Sequence, residues 1–282
     1  MYKDGVLLIT RVITGIIGIA LAAVVIQTGG WVFAAAIALL SVIGWFEYVR
    51  MFRQHGERAA FIPGVVILIL FLGIALLGNS SEFMAVCILG ALVIMSGSVI
   101  FRGSFSIIDA SITLAGVIYI GGSFSYLLML RFIESGQQVT PLGMMSTGNA
   151  LVWIALIGTW ASDTFAYFAG STLGAHKLCP SVSPNKTWEG FAGGLVGTII
   201  SVMLVGGYFF GYGLPEMALL GLCIALVATL GDLVESVIKR YTGIKDSGNI
   251  IPGHGGVLDR FDSVMFSVPF VYYASFISGI WG

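Results

Sequence analysis

Charged residues are scarce in this chain, at 10% of 282 residues, and the formal net charge is −1. Soluble domains carry roughly 25% charged residues, so the composition excludes an ordinary soluble domain. A net charge this small provides no basic field for nucleic acid, and we expect no nucleic-acid partner. The three cysteines are widely spaced and indicate neither a disulfide framework nor a zinc site. The nucleotide-binding pattern G-x-x-x-x-G-K-S/T is also missing, which excludes a P-loop enzyme.

Apolar residues make up most of the chain, with 57% hydrophobic residues and a mean hydropathy of +1.00. A helix needs roughly 20 apolar residues to cross a bilayer, and nine runs reach or approach that length. The sequence therefore predicts an all-α, polytopic membrane protein with about nine transmembrane helices. The predicted runs are 6–27, 31–49, 61–78, 82–100, 111–131, 150–170, 190–211, 215–235 and 263–281.

The basic residues alternate between the segments that join these runs. With a cytosolic N-terminus, all of the 13 Lys and Arg residues except Arg131 fall on cytosolic segments and their flanks. Cytosolic segments of membrane proteins are enriched in Lys and Arg in this way. The pattern predicts nine spans in a cell (inner) membrane, with the N-terminus cytosolic and the C-terminus external.

Polar residues concentrate in the second half, at 158–191 and 229–263, and both stretches lie on the predicted cytosolic side. We interpret 1–282 as a single membrane domain. Residues 1–148 are then scaffold and lipid-contact helices, with a homodimer interface left open, and residues 149–282 carry the active site.

Two polar features precede the seventh run. Asp163 lies inside an apolar segment, where a carboxylate usually lines a functional cavity; a buried acid bonded to its neighbours is the alternative. Lys186 lies beside the predicted start of a helix, which Ser, Asn or Thr residues can cap. A cation is unfavourable there unless an anion docks on the helix N-terminus. We therefore expect either that a phosphate binds beside Lys186 or that this segment is a plain cytosolic loop.

The eighth run spans the membrane only if it continues through Asp232, Glu235 and Ser236. These residues and Lys239 have i, i+3, i+4 and i+7 spacing, which places them on one helical face. A polar helix end that faces solvent is the alternative to a functional carboxylate pair.

A glycine-rich turn, Pro-Gly-His-Gly-Gly at 252–256, follows and leads to Asp259 and Asp262 at the start of the last run. Glycine allows a close backbone approach to a ligand, and a helix N-terminus binds phosphate. His254 is a candidate general base, phosphate donor or turn residue. Several carboxylates ringed by Lys and Arg suit magnesium with a polyphosphate, and we expect them to line a cytosolic crevice.

Four motifs resemble those of the phosphatidate cytidylyltransferases, also called CDP-diglyceride synthetases. They are WASDTFAY at 160–167, SPNKTWEG at 183–190, GDLVES at 231–236 and the long stretch 236–262. One departure is Ser171, where relatives often carry a basic residue; Lys177 and Lys186 can replace that cation.

The resemblance implies transfer of CMP from CTP to phosphatidate, which yields CDP-diacylglycerol and pyrophosphate in phospholipid biosynthesis. It implies magnesium bound by Asp232 and Asp259, and a second cation such as K+, which no residue here indicates. The partners are then CTP, phosphatidate and membrane lipid. The catalytic residues are expected to be Asp232, Asp259, Asp246, Lys239 and His254. The substrate-binding residues are expected to be Asp163, Ser183, Lys186, Thr187, Glu235, Ser236, Arg240, Lys245, Gly255, Gly256, Arg260 and Asp262.

Three competing hypotheses remain. A cation-coupled transporter also places charges in membrane helices, but it would gather them near the bilayer midplane rather than at one face. A cytidylyltransferase that acts on another lipid phosphate would share these motifs. A structural scaffold explains none of the polar clusters.

Overall fold

The computed structural model describes residues 2–78, 80–133, 136–141 and 143–277. The end of the ninth predicted run, 278–281, lies outside the described residues. The described chain is almost entirely helical, as the sequence predicts. Its helices are α1 (Tyr2–Thr28), α2 (Gly30–His55), α3 (Phe61–Leu77), α4 (Ser80–Ile100), α5 (Ile107–Gly116), α6 (Ser123–Arg131), α7 (Thr147–Leu173), α8 (Trp188–Val202), α9 (Leu214–Tyr241) and α10 (Leu258–Ile277).

Two π-helical stretches lengthen these helices. Val117–Gly122 joins α5 to α6 into one continuous segment, and Met203–Phe209 extends α8. With these joins, every predicted apolar run coincides with a helical segment over its described residues. The all-α class of the prediction is therefore confirmed.

Six helical segments of the described chain are long and apolar enough to cross a membrane. They are Gly30–His55, Glu82–Ile100, Ile107–Arg131, Thr147–Leu173, Trp188–Phe209 and Leu214–Tyr241. Two shorter apolar stretches, Val12–Thr28 within α1 and Phe61–Leu77, accompany them. These lengths and compositions are those of a multi-pass membrane protein.

Two small antiparallel hairpins were not predicted. Strand β1 (Gln137–Thr140) pairs with β2 (Gly143–Ser146), and β3 (Lys177–Cys179) pairs with β4 (Ser183–Thr187). The second hairpin ends at the N-terminus of α8, where the Thr187 hydroxyl accepts a hydrogen bond from the Gly190 N–H at 3.1 Å. The capping of this helix by its polar entry is thus confirmed, although the entry is a strand.

The chain divides into two compact units. The first unit comprises 1–129 and 239–261, and the second comprises 130–238 and 262–282. In the first unit, Trp45 and Tyr48 on α2 stack with ring centroids 5.6 Å apart, and both are buried. The Trp45 indole donates to the Phe61 carbonyl at 3.0 Å, and the Tyr48 hydroxyl donates to the Ile112 carbonyl at 3.1 Å. These bonds give partners to the polar atoms of two buried aromatic side chains.

In the second unit, α7 and α8 pack closely along small residues. A Cβ added at Gly194 of α8 would lie 2.9 Å from the Ser162 carbonyl oxygen of α7, which leaves no room for a side chain. Membrane helices approach each other through small residues in this way. The close packing fixes the Thr187 end of α8 against α7, which carries Asp163.

Candidate active site

The first polar cluster lies in the second unit and contains Lys186, Asp232 and Ser236; we call it the Asp232 cluster. The Lys186 ammonium lies 2.6 Å from one Asp232 carboxylate oxygen. The Ser236 hydroxyl, one turn further along α9, donates to the other oxygen at 3.3 Å. The cluster therefore joins the β3–β4 hairpin to α9.

From the sequence, Lys186 was expected either to face an anion at the start of α8 or to lie in a plain cytosolic loop. The anion beside it is a carboxylate of the protein, that of Asp232. The pair is partly exposed, with 23% of the Lys186 side chain and 31% of the Asp232 side chain accessible. A partly exposed ion pair contributes little to stability, so exchange of its partners with a charged ligand costs little.

The polar face of α9 is buried at Glu235 and Ser236 and partly exposed at Asp232. Glu235 is only 1% exposed and Ser236 is buried, whereas Val234 and Val237 on the other side of the helix are exposed. The burial of Glu235 and Ser236 argues against a polar helix end that faces solvent as a whole. Burial of a carboxylate is costly, so its retention at this position favours a functional role.

Helix α10 packs tightly against Gly231 of α9 beside this cluster. A Cβ added at Gly231 would lie 2.6 Å from the Asp262 carbonyl oxygen and 3.1 Å from the Ser263 Cα atom. The Asp262 carboxylate accepts a hydrogen bond from the Ser263 N–H at 2.6 Å, within its own helix turn. Gly231 thus places the backbone of Asp262 next to the turn that carries Asp232.

We expect Gly231→Ala to lower the free energy of unfolding by about 1–3 kcal/mol, the usual cost of overpacking. The added methyl group meets a backbone carbonyl, which cannot move without separating α9 from α10. Thermal unfolding of the purified protein in detergent measures the effect.

The matched control is Gly73→Ala in α3, where a Cβ has no atom within 4 Å. Alanine is the better helix former, so this variant should unfold at the same or a higher temperature. Equal behaviour of the two variants would contradict the tight approach at Gly231.

The second polar cluster lies in the first unit and contains Lys239, Ser247, Gly256 and Asp259; we call it the Asp259 cluster. One Asp259 oxygen accepts from the Lys239 ammonium at 2.8 Å. The other accepts from the Ser247 N–H at 2.8 Å, the Ser247 hydroxyl at 2.9 Å and the Gly256 N–H at 2.8 Å. Asp259 therefore accepts hydrogen bonds from two separate parts of the loop that connects α9 to α10, at Ser247 and at Gly256.

These bonds determine the charge state of Asp259, which precedes the apolar run beginning at 263. Burial alone would raise the pKa of its carboxyl group, because the charged form loses hydration. The Gly256 N–H, the Lys239 ammonium and Ser247 outweigh this effect and hold the pKa below its usual value. Asp259 is thus a charged carboxylate at neutral pH.

Glu47 of α2 supports this loop, and sequence reasoning did not identify it. Its carboxylate is 2% exposed and accepts from the backbone N–H groups of Val257 and Leu258, each at 3.0 Å. The Ser247 hydroxyl, which donates to Asp259 at 2.9 Å, also lies 3.3 Å from a Glu47 oxygen and shares its one hydrogen between the two carboxylates. Glu47 therefore supplies hydrogen-bond acceptors at the N-terminus of α10. The available signal was a single carboxylate inside the apolar run 31–49.

The glycine-rich turn folds onto α1 and onto its own following helix. The His254 ring nitrogen Nδ1 lies 2.8 Å from the Thr14 hydroxyl, and the His254 carbonyl accepts from Arg260 Nε at 2.9 Å. Gly255 has φ +85, and a Cβ there would lie 2.5 Å from an Asp259 carboxylate oxygen. Both its backbone conformation and its neighbour thus require glycine at 255. The Arg240 guanidinium donates to the Ile244 carbonyl at 3.3 Å, at the start of the loop.

The remaining predicted residues are distributed over both units. Asp163 is exposed on α7, and Ser183 is half-buried in β4, both in the second unit. Lys245 and Asp246 are exposed in the loop of the first unit that leads to the glycine-rich turn. The assigned roles of these residues stay predictions.

Among the described residues, no group of three or more His, Cys, Asp or Glu side chains is arranged to hold a metal by itself. Magnesium binds through one or two carboxylates together with substrate phosphates, so a site of that kind needs no such group. A lysine ammonium lies against Asp232 and another against Asp259, so each carboxylate already stabilises a positive charge. The oxygen donors present therefore fit magnesium.

Comparison with known proteins relates nearly the whole chain to one family. The model of the Cytidylyltransferase family matches residues 9–278. A phosphatidate cytidylyltransferase of Bacillus subtilis (strain 168) is 32% identical over 274 residues, which are 93% of this chain and 96% of the relative. Phosphatidate cytidylyltransferases of Synechocystis and Staphylococcus aureus are 37% and 35% identical and cover 93% and 92% of this chain. The alignment covers 94% and 95% of those two relatives.

Proposed function

The chain belongs to the phosphatidate cytidylyltransferase family, and we propose that it transfers CMP from CTP to phosphatidate, which yields CDP-diacylglycerol and pyrophosphate. The observation that carries the proposal for the site is the pairing of Lys186 with Asp232 and of Lys239 with Asp259. In each pair, the lysine ammonium can turn to a phosphate, and the carboxylate can turn to a metal ion. Such groups stabilise the negative charge that develops while a phosphate bond forms and another breaks.

The attacking group in this reaction is the phosphate of phosphatidate. A phosphate monoester has a second pKa near 6, so it is largely a dianion at pH 7. It can attack the α-phosphorus of CTP without a strong general base, and the bond to the β-phosphate then breaks to release pyrophosphate. Catalysis then consists of positioning and of neutralising charge, as in other phosphoryl transfers.

The basic residues of the two clusters supply that neutralisation in our proposal. Lys186 and Lys239 exchange their carboxylate partners for phosphate oxygens when substrate binds. Arg240 and Arg260, both exposed at the ends of the α9–α10 connection, bind further phosphate oxygens. His254 is hydrogen-bonded to Thr14, which favours a role in holding the turn.

Asp232 and Asp259 would hold magnesium, with a second cation such as K+ also part of the proposal. When bound, magnesium supplies positive charge to the triphosphate and its leaving pyrophosphate. Asp246 is exposed and free to orient the nucleotide, and the buried Glu235 lies one turn from Asp232.

For the membrane arrangement, we propose nine crossings of the inner membrane with a cytosolic N-terminus. The distribution of Lys and Arg supports this topology, since only Arg131 falls on an external segment. Both clusters then belong to cytosolic segments, where CTP is available.

The experiment is an assay of detergent-purified protein with phosphatidate, labelled CTP and magnesium, in which label entering a chloroform-extractable product is measured. We expect labelling with CTP but not with ATP, GTP or UTP, and its loss when EDTA removes magnesium. Readdition of magnesium to the EDTA-treated sample should restore it. A folded preparation that labels no lipid would contradict the proposed reaction, and uptake assays in proteoliposomes would then test transport.

A further inference from the structure

A polar cavity of about 220 Å³ opens beside the Asp259 cluster, within the first unit. It is lined by Arg50, Met51, Gln54, Ile244, Asp246, Ser247, Gly248 and Asn249. Pockets for drug-sized molecules have roughly 300–1,000 Å³, so this cavity suits a fragment such as a nucleobase and not a diacyl lipid.

One wall of the cavity is the end of α2. Arg50 and Gln54 follow Glu47 at i+3 and i+7, so the three side chains share one helical face. Glu47 is buried under the loop, whereas Arg50 and Gln54 are exposed. The same helix face thus supports the loop and lines the cavity next to it.

The cavity combines free polar groups with apolar surface. Within the described parts of the chain, the Arg50, Gln54, Asp246 and Asn249 side chains make no hydrogen bond or ion pair. Their donors and acceptors are thus available to a ligand. Half-buried Ile244 supplies the small apolar part of the lining, since Met51 is only 1% exposed. A flat ligand with polar edges matches this lining.

We propose that this cavity binds the cytosine base of the nucleotide substrate, an inference that rests on the proposed function. The Arg50 guanidinium donates to O2 and N3 of cytosine, and an oxygen of Asp246 or Asn249 accepts from the amino group on C4. Uracil presents N3–H and O4 at these positions. Its N3–H donor would face the Arg50 donor, and its O4 acceptor would face the acceptor oxygen of Asp246 or Asn249. Such mismatches of hydrogen-bonding groups discriminate strongly between ligands.

The position of the cavity fits the chemistry next to it. Ser247 lines the cavity and also donates its N–H and its hydroxyl to Asp259. A base in the cavity would therefore lie one residue away from the carboxylate that we assign to the phosphates and their metal. The order of base, then phosphates, corresponds to the order of groups in CTP.

The test compares Arg50→Ala with Arg53→Ala, a substitution three residues further along α2. Arg53 is exposed and does not line the cavity, so it controls for the loss of one positive charge. Two quantities are measured for each variant: the KM for CTP at saturating phosphatidate, and CTP binding without phosphatidate by equilibrium dialysis, with UTP as competitor. Loss of one charged hydrogen bond should weaken CTP binding roughly 10- to 100-fold in Arg50→Ala and leave Arg53→Ala unchanged.

Selectivity is the decisive readout, because an arginine that only attracts phosphate would act on CTP and UTP alike. We expect Arg50→Ala to lose CTP affinity and to retain the weak UTP affinity of the unmodified protein. Equal losses for both nucleotides, or an unchanged CTP affinity in an active enzyme, would overturn the inference and leave the proposed function intact. If the unmodified protein labels no lipid, the proposed function fails, and the dialysis result alone decides whether the cavity binds cytosine.

Discussion

Asp259→Asn is expected to lower turnover by at least on the order of a hundredfold while the protein stays folded, because one electrostatic group in a catalytic site is typically worth that much. Asparagine has the shape of aspartate but no charge. Three donors, from Ser247 and Gly256, converge on one Asp259 oxygen, and Lys239 approaches the other. The amide oxygen can serve the three donors, and the amide NH2 group must then face the lysine. The loop keeps its bonds, and the charge is lost.

Asp259→Ala separates the charge of this residue from its architectural role. Alanine leaves all four bonds unmade, so this variant should unfold at a lower temperature than Asp259→Asn, in addition to being inactive. The measurement pairs initial rates in the CTP assay with thermal unfolding in detergent. Glu216→Gln, which removes an exposed acid from the first turn of α9, is the control and should match the unmodified protein in both. Near-normal turnover of Asp259→Asn would refute the proposed role of this carboxylate.

Glu47→Ala is expected to reduce turnover on the order of a hundredfold, since a displacement of about 1 Å in a positioning group can cost that much. The substitution removes the acceptor of the Val257 and Leu258 N–H groups, whereas the Ser247 hydroxyl keeps its shorter bond to Asp259. Each buried donor left without a partner costs about 1–3 kcal/mol. Because Ser247 also holds Asp259, the loop and the start of α10 should shift together.

Glu47→Gln provides the graded comparison, since its amide keeps one oxygen acceptor and should retain intermediate turnover. Rates are measured well below the unfolding temperature of each variant, so that loss of folded protein does not account for loss of rate. An indirect role also predicts that Glu47→Ala changes kcat more than the KM for CTP. A fall confined to the unfolding temperature, with normal kcat, would show that Glu47 stabilises the fold without positioning the site.

Much of the helical architecture follows from the sequence, because hydropathy is a local property of each segment. The ends of the helices are harder to predict from the sequence. Helix α2 continues past its apolar run through Arg50 and Arg53 to His55, and it ends where Gly56 adopts φ 118. A polar sequence can stay helical beyond the apolar run, so composition alone does not locate that end. The two hairpins were missed because strands of three to five residues carry almost no periodic signal.

The site was predictable as a set of residues but not as a set of contacts. The i, i+3, i+4, i+7 spacing identified the polar face of α9, since helical geometry relates those positions directly. No local rule indicates that Lys186 contacts Asp232 or that Lys239 contacts Asp259, because hairpin and loop conformations decide these pairs. The role of Glu47 was not predicted for the same reason, because its hydrogen-bond partners depend on the fold of the α9–α10 connection.

The bonds of Glu47 impose an order on the assembly of the protein during synthesis. Its acceptors meet donors that lie 200, 210 and 211 residues later in the chain. A ribosome therefore releases α2 into the membrane long before the loop and α10 exist, and contacts this distant in sequence form late. Until then, the carboxylate must stay hydrated or protonated near the membrane surface. Completion of this part of the protein is thus coupled to the arrival of its last helix, and a chain that stops after α9 would keep an unsatisfied acid in its core.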